Sequence, residues 1–415
     1  MSQVFDRIMA GAGAAGANQE VDPVRSNVDE SCADDEAKIL SVSNGEQGTV
    51  QLIWRDGHSS RFHLSWLRDN CACPLCCHPD TFERMTNPLS VPDNITALMV
   101  SVDNVGRLVI IWDDSHRSVF EPGWLYTHCY SDEKRASRQR APRLIHWGSE
   151  LPSCIPGFLY DDVMSNNQTL LEWLLALHTV GIALLREVPG EDRTVMRAAQ
   201  RISYVRRTNF GSTFDVRPKR QPNSNAYTSL WMPLHTDLPQ YELQAGYQFF
   251  HCLENSVEGG ESLLVDGFKL ADALRRDDPQ AFEMLSRWPI HFHFRDQDSD
   301  LSHRGTVITL DANQEVTAIR FSPALAAPLD VPFALMPSMR RAYHKFYAMT
   351  HDPQLQARMR LQPGDMLVND NYRVLHARSG FDPSSGERHL QGCYVDKSEL
   401  MSRIRVLRRE LSPGS

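Results

Sequence analysis

Hydrophobic and polar positions follow no sustained period over the first 37 residues. Gly, Ala, Asn and acidic residues dominate there, and residues 1–37 are expected to form a disordered extension. From residue 38 the pattern changes to strand-like alternation. Residues 49–54 favour a strand, Asp56-Gly57 favours a hairpin turn, and residues 60–64 alternate again. The succession then returns. Residues 108–112, 113–116, 118–120 and Trp124-Leu125 mirror residues 52–54, 56–58, 60–62 and Trp66-Leu67. This internal repeat of strand, turn, strand and Trp-Leu marks out residues 38–132 as one small β-rich domain.

Residues 133–150 are charged and punctuated by Pro and Gly, the pattern of a linker. Both periods occur over 151–415. Leu170, Leu171, Leu174 and Leu175 recur at helical spacing and predict a helix over 167–177. Residues 194–203, the stretch opening at 267, and 400–411 also read as helices. Runs at 181–185, 245–251, 261–266, 365–368 and 390–395 predict strands. Short strands framed by Gly and Pro turns, with helices outside, predict a mainly β jelly-roll barrel with flanking helices.

The 415 residues are 41% hydrophobic and 23% charged, an ordinary globular composition. A net charge of −9 suits a general nucleic-acid binder poorly, since that would show a basic patch. No apolar run approaches the ~18 residues of a membrane helix. The N-terminus lacks a secretory pattern. Asp29, Glu30, Asp34, Asp35 and Glu36 speak against a mitochondrial transit peptide, so a cytoplasmic protein is expected. Nine cysteines in a reducing compartment point to thiols or metal ligands rather than disulfides.

Four of those cysteines, Cys71, Cys73, Cys76 and Cys77, crowd one short stretch. Structural zinc takes four N or S ligands in a tetrahedron. The C-x-C-x-x-C spacing lets Cys71, Cys73 and Cys76 surround one ion from a tight turn. The fourth ligand is open: Cys77, His78 or a distant residue. The repeat offers His116, in the turn of the second hairpin. Such a site would couple ligation to the folding of the small domain.

His235-Thr-Asp237 places two ligand types two residues apart, which on a strand share one face. With His376, at the end of a predicted strand, they make the two-histidine, one-carboxylate set of a non-heme Fe(II) oxygenase, which leaves coordination positions open. Arg388 follows. If a 2-oxo acid binds the metal through its keto acid end, its far carboxylate needs a partner, and a guanidinium clamps it bidentately.

Several further motifs stand around these residues: Trp66-Leu-Arg-Asp-Asn70 before the cysteines, Asn225-Ala-Tyr-Thr228, Gly246-Tyr-Gln-Phe-Phe-His-Cys252, Glu258-Gly-Gly-Glu-Ser262, Val265-Asp-Gly-Phe268, Arg373-Val-Leu-His376 and Gly392-Cys-Tyr394. Together with His235-Thr-Asp237 they resemble the γ-butyrobetaine dioxygenase family, of which the trimethyllysine dioxygenases are close relatives. The resemblance runs from about residue 45 to residue 410. It implies a small N-terminal zinc domain followed by a double-stranded β-helix. It also implies Fe(II), 2-oxoglutarate and O₂, with ascorbate as supporting reductant, and a homodimer. On the same basis His235, Asp237 and His376 would be the catalytic iron ligands. Cys71, Cys73, Cys76 and His116 would hold zinc, and Arg388, Asn225 and Ser262 would bind 2-oxoglutarate.

The implied substrate is a small quaternary ammonium, which has no N–H to donate and is recognised by aromatic faces. The implied cage is Phe210, Phe214, Tyr227 and Tyr394. Animal members carry Tyr and Trp where Phe210 and Phe214 stand, and a phenyl face attracts a cation less than indole does. The expected reaction is hydroxylation of γ-butyrobetaine to L-carnitine, coupled to conversion of 2-oxoglutarate to succinate and CO₂. Trimethyllysine or another small zwitterion is the alternative substrate. A non-catalytic, metal-bound scaffold or interaction protein is the alternative from another class, and the complete ligand set with Arg388 counts against it.

Overall fold

The computed structural model describes residues 37–46, 48–139, 144–218 and 227–412. Apart from Ala37, the extension expected over 1–37 lies outside the described residues, as does Asn225. The chain divides between Pro142 and Arg143 into two compact units.

The smaller unit is the repeat made physical. Strands Ile39–Asn44, Thr49–Trp54 and Ser59–His63 form one antiparallel sheet, and Ala97–Val102, Leu108–Trp112 and Arg117–Phe120 form another. Each sheet runs into a short helix, Leu64–Asp69 or Pro122–His128. The halves match to the level of single bonds. The indole N–H of Trp54 donates to Ser60 Oγ at 2.7 Å, and that of Trp112 to Ser118 Oγ at 2.8 Å. Each turn has one left-handed residue, Gly57 at φ 84° and Ser115 at φ 65°. Alternation brings Leu52, Trp54 and Phe62 together with Ile110, Trp112 and Phe120 in one core.

Part of the stretch read as a linker is helical, Asp132–Gln139. It has no apolar period to announce it. Asp132 and Glu133 in its first turn and Arg138 in its last complement the helix dipole instead. Arg138 also donates to the carbonyls of Thr127 at 2.8 Å and Cys129 at 2.6 Å.

The larger unit is a double-stranded β-helix. Its major sheet runs Gly157–Leu159, Ile182–Arg186, Met366–Asp370, Tyr247–Asn255, Arg388–Val395, Phe214–Val216. Its minor sheet runs Gln356–Met359, Ser262–Asp266, Val374–Arg378. Alternation assigns each face. Tyr247 and Phe249 turn outward, where Trp173 and Leu174 of helix Asn167–Val180 and Leu400 and Ile404 of helix Lys397–Leu411 cover them. On the minor sheet Leu263, Val265, Leu375 and Ala377 pack under helices Gly267–Asp277, Pro279–Arg287 and Met336–Met349. The intervening residues, Gln248 and Phe250 on one sheet and Leu264 and His376 on the other, face the space between.

Local chemistry sets the ends of these elements. The Asn166 side chain accepts from Gln168 and Thr169 N–H and starts the helix that Gly181 ends at φ 82°. A side chain on Gly181 would also meet Arg373 Cδ at 2.8 Å. Arg373 is fully buried, pairs with Asp266 at 2.7 Å and donates to the carbonyls of Thr179 and Ile145. It thereby ties the strand that carries His376 to the helix end and to the cap of helix Gly267–Asp277. Removing either partner of such a buried pair typically costs ~3–5 kcal/mol. Among the described residues no helix is long and apolar enough to cross a membrane.

Candidate active site and metal centres

In the smaller unit Cys71, Cys73, Cys76 and His116 converge, with all four ligand atoms within 4.8 Å of one another. His116 Nε2 lies 3.2, 3.5 and 3.6 Å from the sulfurs of Cys71, Cys73 and Cys76. A tetrahedral zinc with ordinary Zn–S and Zn–N bonds needs about 3.6 Å between S and N. Of the fourth ligands left open, the structure brings up His116. The Cys77 thiol lies against the His78 carbonyl, and His78 Nδ1 faces the Asp80 and Thr81 N–H groups. Burial, then Cys71, pushes the Cys76 thiol up to about 11. Three clustered thiols ionise together only when a cation neutralises them, so the donor set fits a divalent metal. Asp114 orients the site. It accepts from His116 N–H at 2.8 Å and pairs with Arg68 at 2.9 Å.

The repeat holds a counterpart of this cluster, built from residues after the second half's helix and the hairpin turn of the first half. His58, which corresponds to His116, places Nε2 3.6 Å from Cys129, which corresponds to Cys71. Ser131 stands for Cys73 and Lys134 for Cys76. Tyr126 stands for Arg68, and its hydroxyl reaches Asp56 at 2.7 Å, as Arg68 reaches Asp114.

In the larger unit His235, Asp237 and His376 converge within 4.8 Å between the two sheets. Their side chains are 14, 18 and 12% exposed, enough for a ligand to reach them. Asp237 Oδ1 lies 3.3 Å from His235 Nε2 and 3.6 Å from His376 Nε2. Adjacent sites of an octahedral ion are roughly 3 Å apart, so a small inward closure suffices. His235-Thr-Asp237 is not a strand. His235 makes a single antiparallel bridge to His376, with N–H···O bonds of 3.1 and 2.9 Å in the two directions. Alternation still holds over the three residues. Thr236 points the other way, fully buried, and its hydroxyl accepts from Phe321 and Gln244. Leu238 at φ 55° then turns the chain away.

Each ligand is oriented from behind. His235 Nδ1 donates to the Pro233 carbonyl at 2.8 Å, which leaves the Nε2 lone pair for a metal. Gln248 Nε2 and the Tyr394 hydroxyl (2.7 Å) both donate to Asp237 Oδ2, leaving Oδ1 to the centre. Asn371 clasps the Asp237 backbone, accepting from its N–H at 2.6 Å and donating to its carbonyl at 2.9 Å. Burial would raise Asp237, but His376 and His235 outweigh it and hold the carboxyl down to about 2. Burial pushes His376 down to about 4, toward the neutral imidazole that binds metals. Burial is outweighed at His235, where Asp237 raises the imidazole, so the carboxylate is paired with a proton on His235 that a divalent cation would displace.

The triad opens on a cavity of about 460 Å³. Arg388, Ser262, Phe210, Phe214, Tyr227 and Tyr394 all line it, so every described residue expected at the site faces one space. Arg388 is 7% exposed, and its Nε and Nη1 have no hydrogen-bond partner among the described residues. Burial, then the like charge of Arg378, pushes its guanidinium down to about 9. A buried cation in this state calls for an anionic ligand. Phe214 lies 5.1 Å from Tyr394, centroid to centroid, at 30°. A side chain on Gly392 would meet Phe214 Cζ at 2.5 Å, so glycine there lets the ring lie over the sheet. Phe210 stacks edge-on with Tyr227 at 6.5 Å and with Phe294 at 5.7 Å.

Sequence reasoning missed Gln248, Asn371 and Phe294. Gln248 lies inside the motif Gly246–Cys252 and Asn371 just before Arg373–His376, but nothing local tells which polar residue faces a carboxylate. Phe294 belongs to the hairpin of Ile290–Arg295 and Asp300–Gly305, in a stretch where no element was predicted.

Residues 123–394 match the model of the taurine catabolism dioxygenase TauD, TfdA family, and residues 42–126 match a gamma-butyrobetaine hydroxylase-like N-terminal model. The gamma-butyrobetaine dioxygenase of Pseudomonas sp. (strain AK-1) is 45% identical over 374 residues, 90% of this chain and 96% of the relative. That of Homo sapiens is 32% identical over 378 residues, covering 88% and 96%. The mitochondrial trimethyllysine dioxygenase of Homo sapiens is 30% identical over 355 residues, covering 84% and 83%. The chain therefore belongs to the TauD/TfdA family and is an Fe(II)- and 2-oxoglutarate-dependent dioxygenase with a gamma-butyrobetaine hydroxylase-like N-terminal unit.

Proposed function

We propose that this enzyme hydroxylates γ-butyrobetaine to L-carnitine, converting 2-oxoglutarate and O₂ to succinate and CO₂. The observation that carries the reading is one cavity with the His235, Asp237 and His376 side chains beside an aromatic wall, and with Arg388 buried and short of partners. The relative at 45% identity supports the choice of substrate. In this reading His235, Asp237 and His376 hold iron, which supplies oxygen activation when bound. Arg388, with Ser262, binds the far carboxylate of 2-oxoglutarate, and Asn225 belongs to the same site. Phe210, Phe214, Tyr227 and Tyr394 face the trimethylammonium group, whose methyl cation is held by ring faces without hydrogen bonds. Gln248 and Tyr394 keep Asp237 aimed at the metal. The apolar walls exclude water from the reacting C–H. Cys71, Cys73, Cys76 and His116 hold a structural zinc with no open position.

The test is stoichiometry. Iron-loaded protein given 2-oxoglutarate and γ-butyrobetaine should release succinate and carnitine in equal amounts. Succinate release that ignores added γ-butyrobetaine would reject that substrate, and trimethyllysine in a parallel assay identifies the competing one.

A further inference from the structure

Asn369 is fully buried, yet neither its Oδ1 nor its Nδ2 has a hydrogen-bond partner among the described residues. Such an amide is costly to leave unsatisfied in a dry interior, and natural proteins seldom do so. Its surroundings are not merely apolar core, because Asn369 lines the cavity that holds the metal-ligand triad. Its place in the major sheet is defined by register. Asn369 pairs with Gln248, and Gln248 pairs with Tyr394, so the three side chains stand in one row on the inner face. Tyr394 spends its hydroxyl on Asp237, and Gln248 Nε2 faces both Asp237 and, at 3.3 Å, His376 Nε2. Tyr394 is also part of the aromatic wall with Phe214. Asn369 therefore stands level with the metal ligands, on the side of Gln248 away from that wall.

We infer that Asn369 donates its amide N–H to the carboxylate of 2-oxoglutarate that lies beside the metal. The inference rests on the proposed function. A dicarboxylate has two ends to satisfy. Arg388 suits the distant one. At the level of the triad, Tyr394 is committed to Asp237 and Gln248 to the ligands Asp237 and His376, and Asn369 is the donor in that row without a partner among the described residues. The substrate's cationic end belongs to the aromatic wall on the other side.

Equilibrium binding to the manganese-loaded protein tests this without turnover. Asn369→Leu should weaken 2-oxoglutarate binding about ten-fold, the size of one hydrogen bond to a charged group. It should leave manganese affinity within about two-fold. Asn369→Asp, nearly isosteric, loses the donor and adds a repelling charge, and should weaken 2-oxoglutarate further. Unchanged 2-oxoglutarate affinity in both variants, with a higher melting temperature for Asn369→Leu, would mean an unliganded amide and overturn the inference. So would an equal loss of manganese affinity, or a loss confined to γ-butyrobetaine binding. Wild-type protein that fails to bind 2-oxoglutarate sinks the proposed function itself. Wild-type binding with unaffected variants sinks only the role of Asn369.

Discussion

The two halves of the small unit share a backbone and differ in chemistry. Trp54 and Trp112 make the same hydrogen bond to Ser60 and Ser118, and both turns carry a left-handed residue. Asp56 and Asp114 each accept from the N–H of the following histidine at 2.8 Å. Yet each cluster joins the end of one half to the hairpin turn of the other, and they differ: one gathers Cys71, Cys73, Cys76 and His116, the other Cys129, Ser131, Lys134 and His58. In the thiol cluster the Arg68 guanidinium, 3.6 Å from Cys76, offsets only part of the charge of three thiolates, and a metal cation would supply the rest. The counterpart cluster has a single thiol and a cation of its own. Lys134 Nζ sits 3.7 Å over the Tyr126 ring, whose hydroxyl reaches Asp56. A fold repeat thus fixes where a cluster can form, and three positions, Cys73 or Ser131, Cys76 or Lys134 and Arg68 or Tyr126, separate the thiol-rich cluster from its counterpart.

Breaking the metal half should have the largest effect. Cys76→Ser should abolish zinc retention and cost the small unit on the order of 5 kcal/mol, enough to unfold it. Zinc analysis and thermal melting check this, and a fully folded, zinc-free variant would contradict it. Converting the other half is the sharpest test. Ser131→Cys with Lys134→Cys should raise zinc content from one ion per chain to two; retention of one would show that four ligands do not suffice where Tyr126 stands in place of Arg68. Cys129→Ala should cost about 1–2 kcal/mol through lost packing, with zinc content unchanged. Lys134→Met should be the mildest, within about 1 kcal/mol by denaturant titration, since a partly exposed cation–π contact is worth little.

The same contrast explains what could be read in advance. Alternation and turn chemistry made the small unit legible, because strand period and Asp-Gly turns are local properties. In the larger unit the strands around residues 181–185, 245–251 and 390–395 were legible for the same reason. Helix Asp132–Gln139 was not, because its residues are polar throughout and charge placement stabilises it. No element was assigned to hairpin Ile290–Arg295 with Asp300–Gly305, nor to helix Met336–Met349, which buries Met339, Ala342 and Phe346 and turns Arg340 and Arg341 to solvent.

Ligand chemistry was carried by residue type and spacing alone. A C-x-C-x-x-C cluster, an H-x-D pair with a distant histidine, and a following arginine name their metals and co-substrate because few other arrangements use those donors together. Convergence was not. Whether His116, Cys77 or His78 completes the thiol cluster depends on how two hairpins pack. Whether Gln248 or its neighbours hold Asp237 depends on strand register. That Asn369 is buried in the cavity with no partner among the described residues is visible only once both sheets are in place. Periodicity records which face a residue takes within its own element, and only packing decides what stands opposite that face.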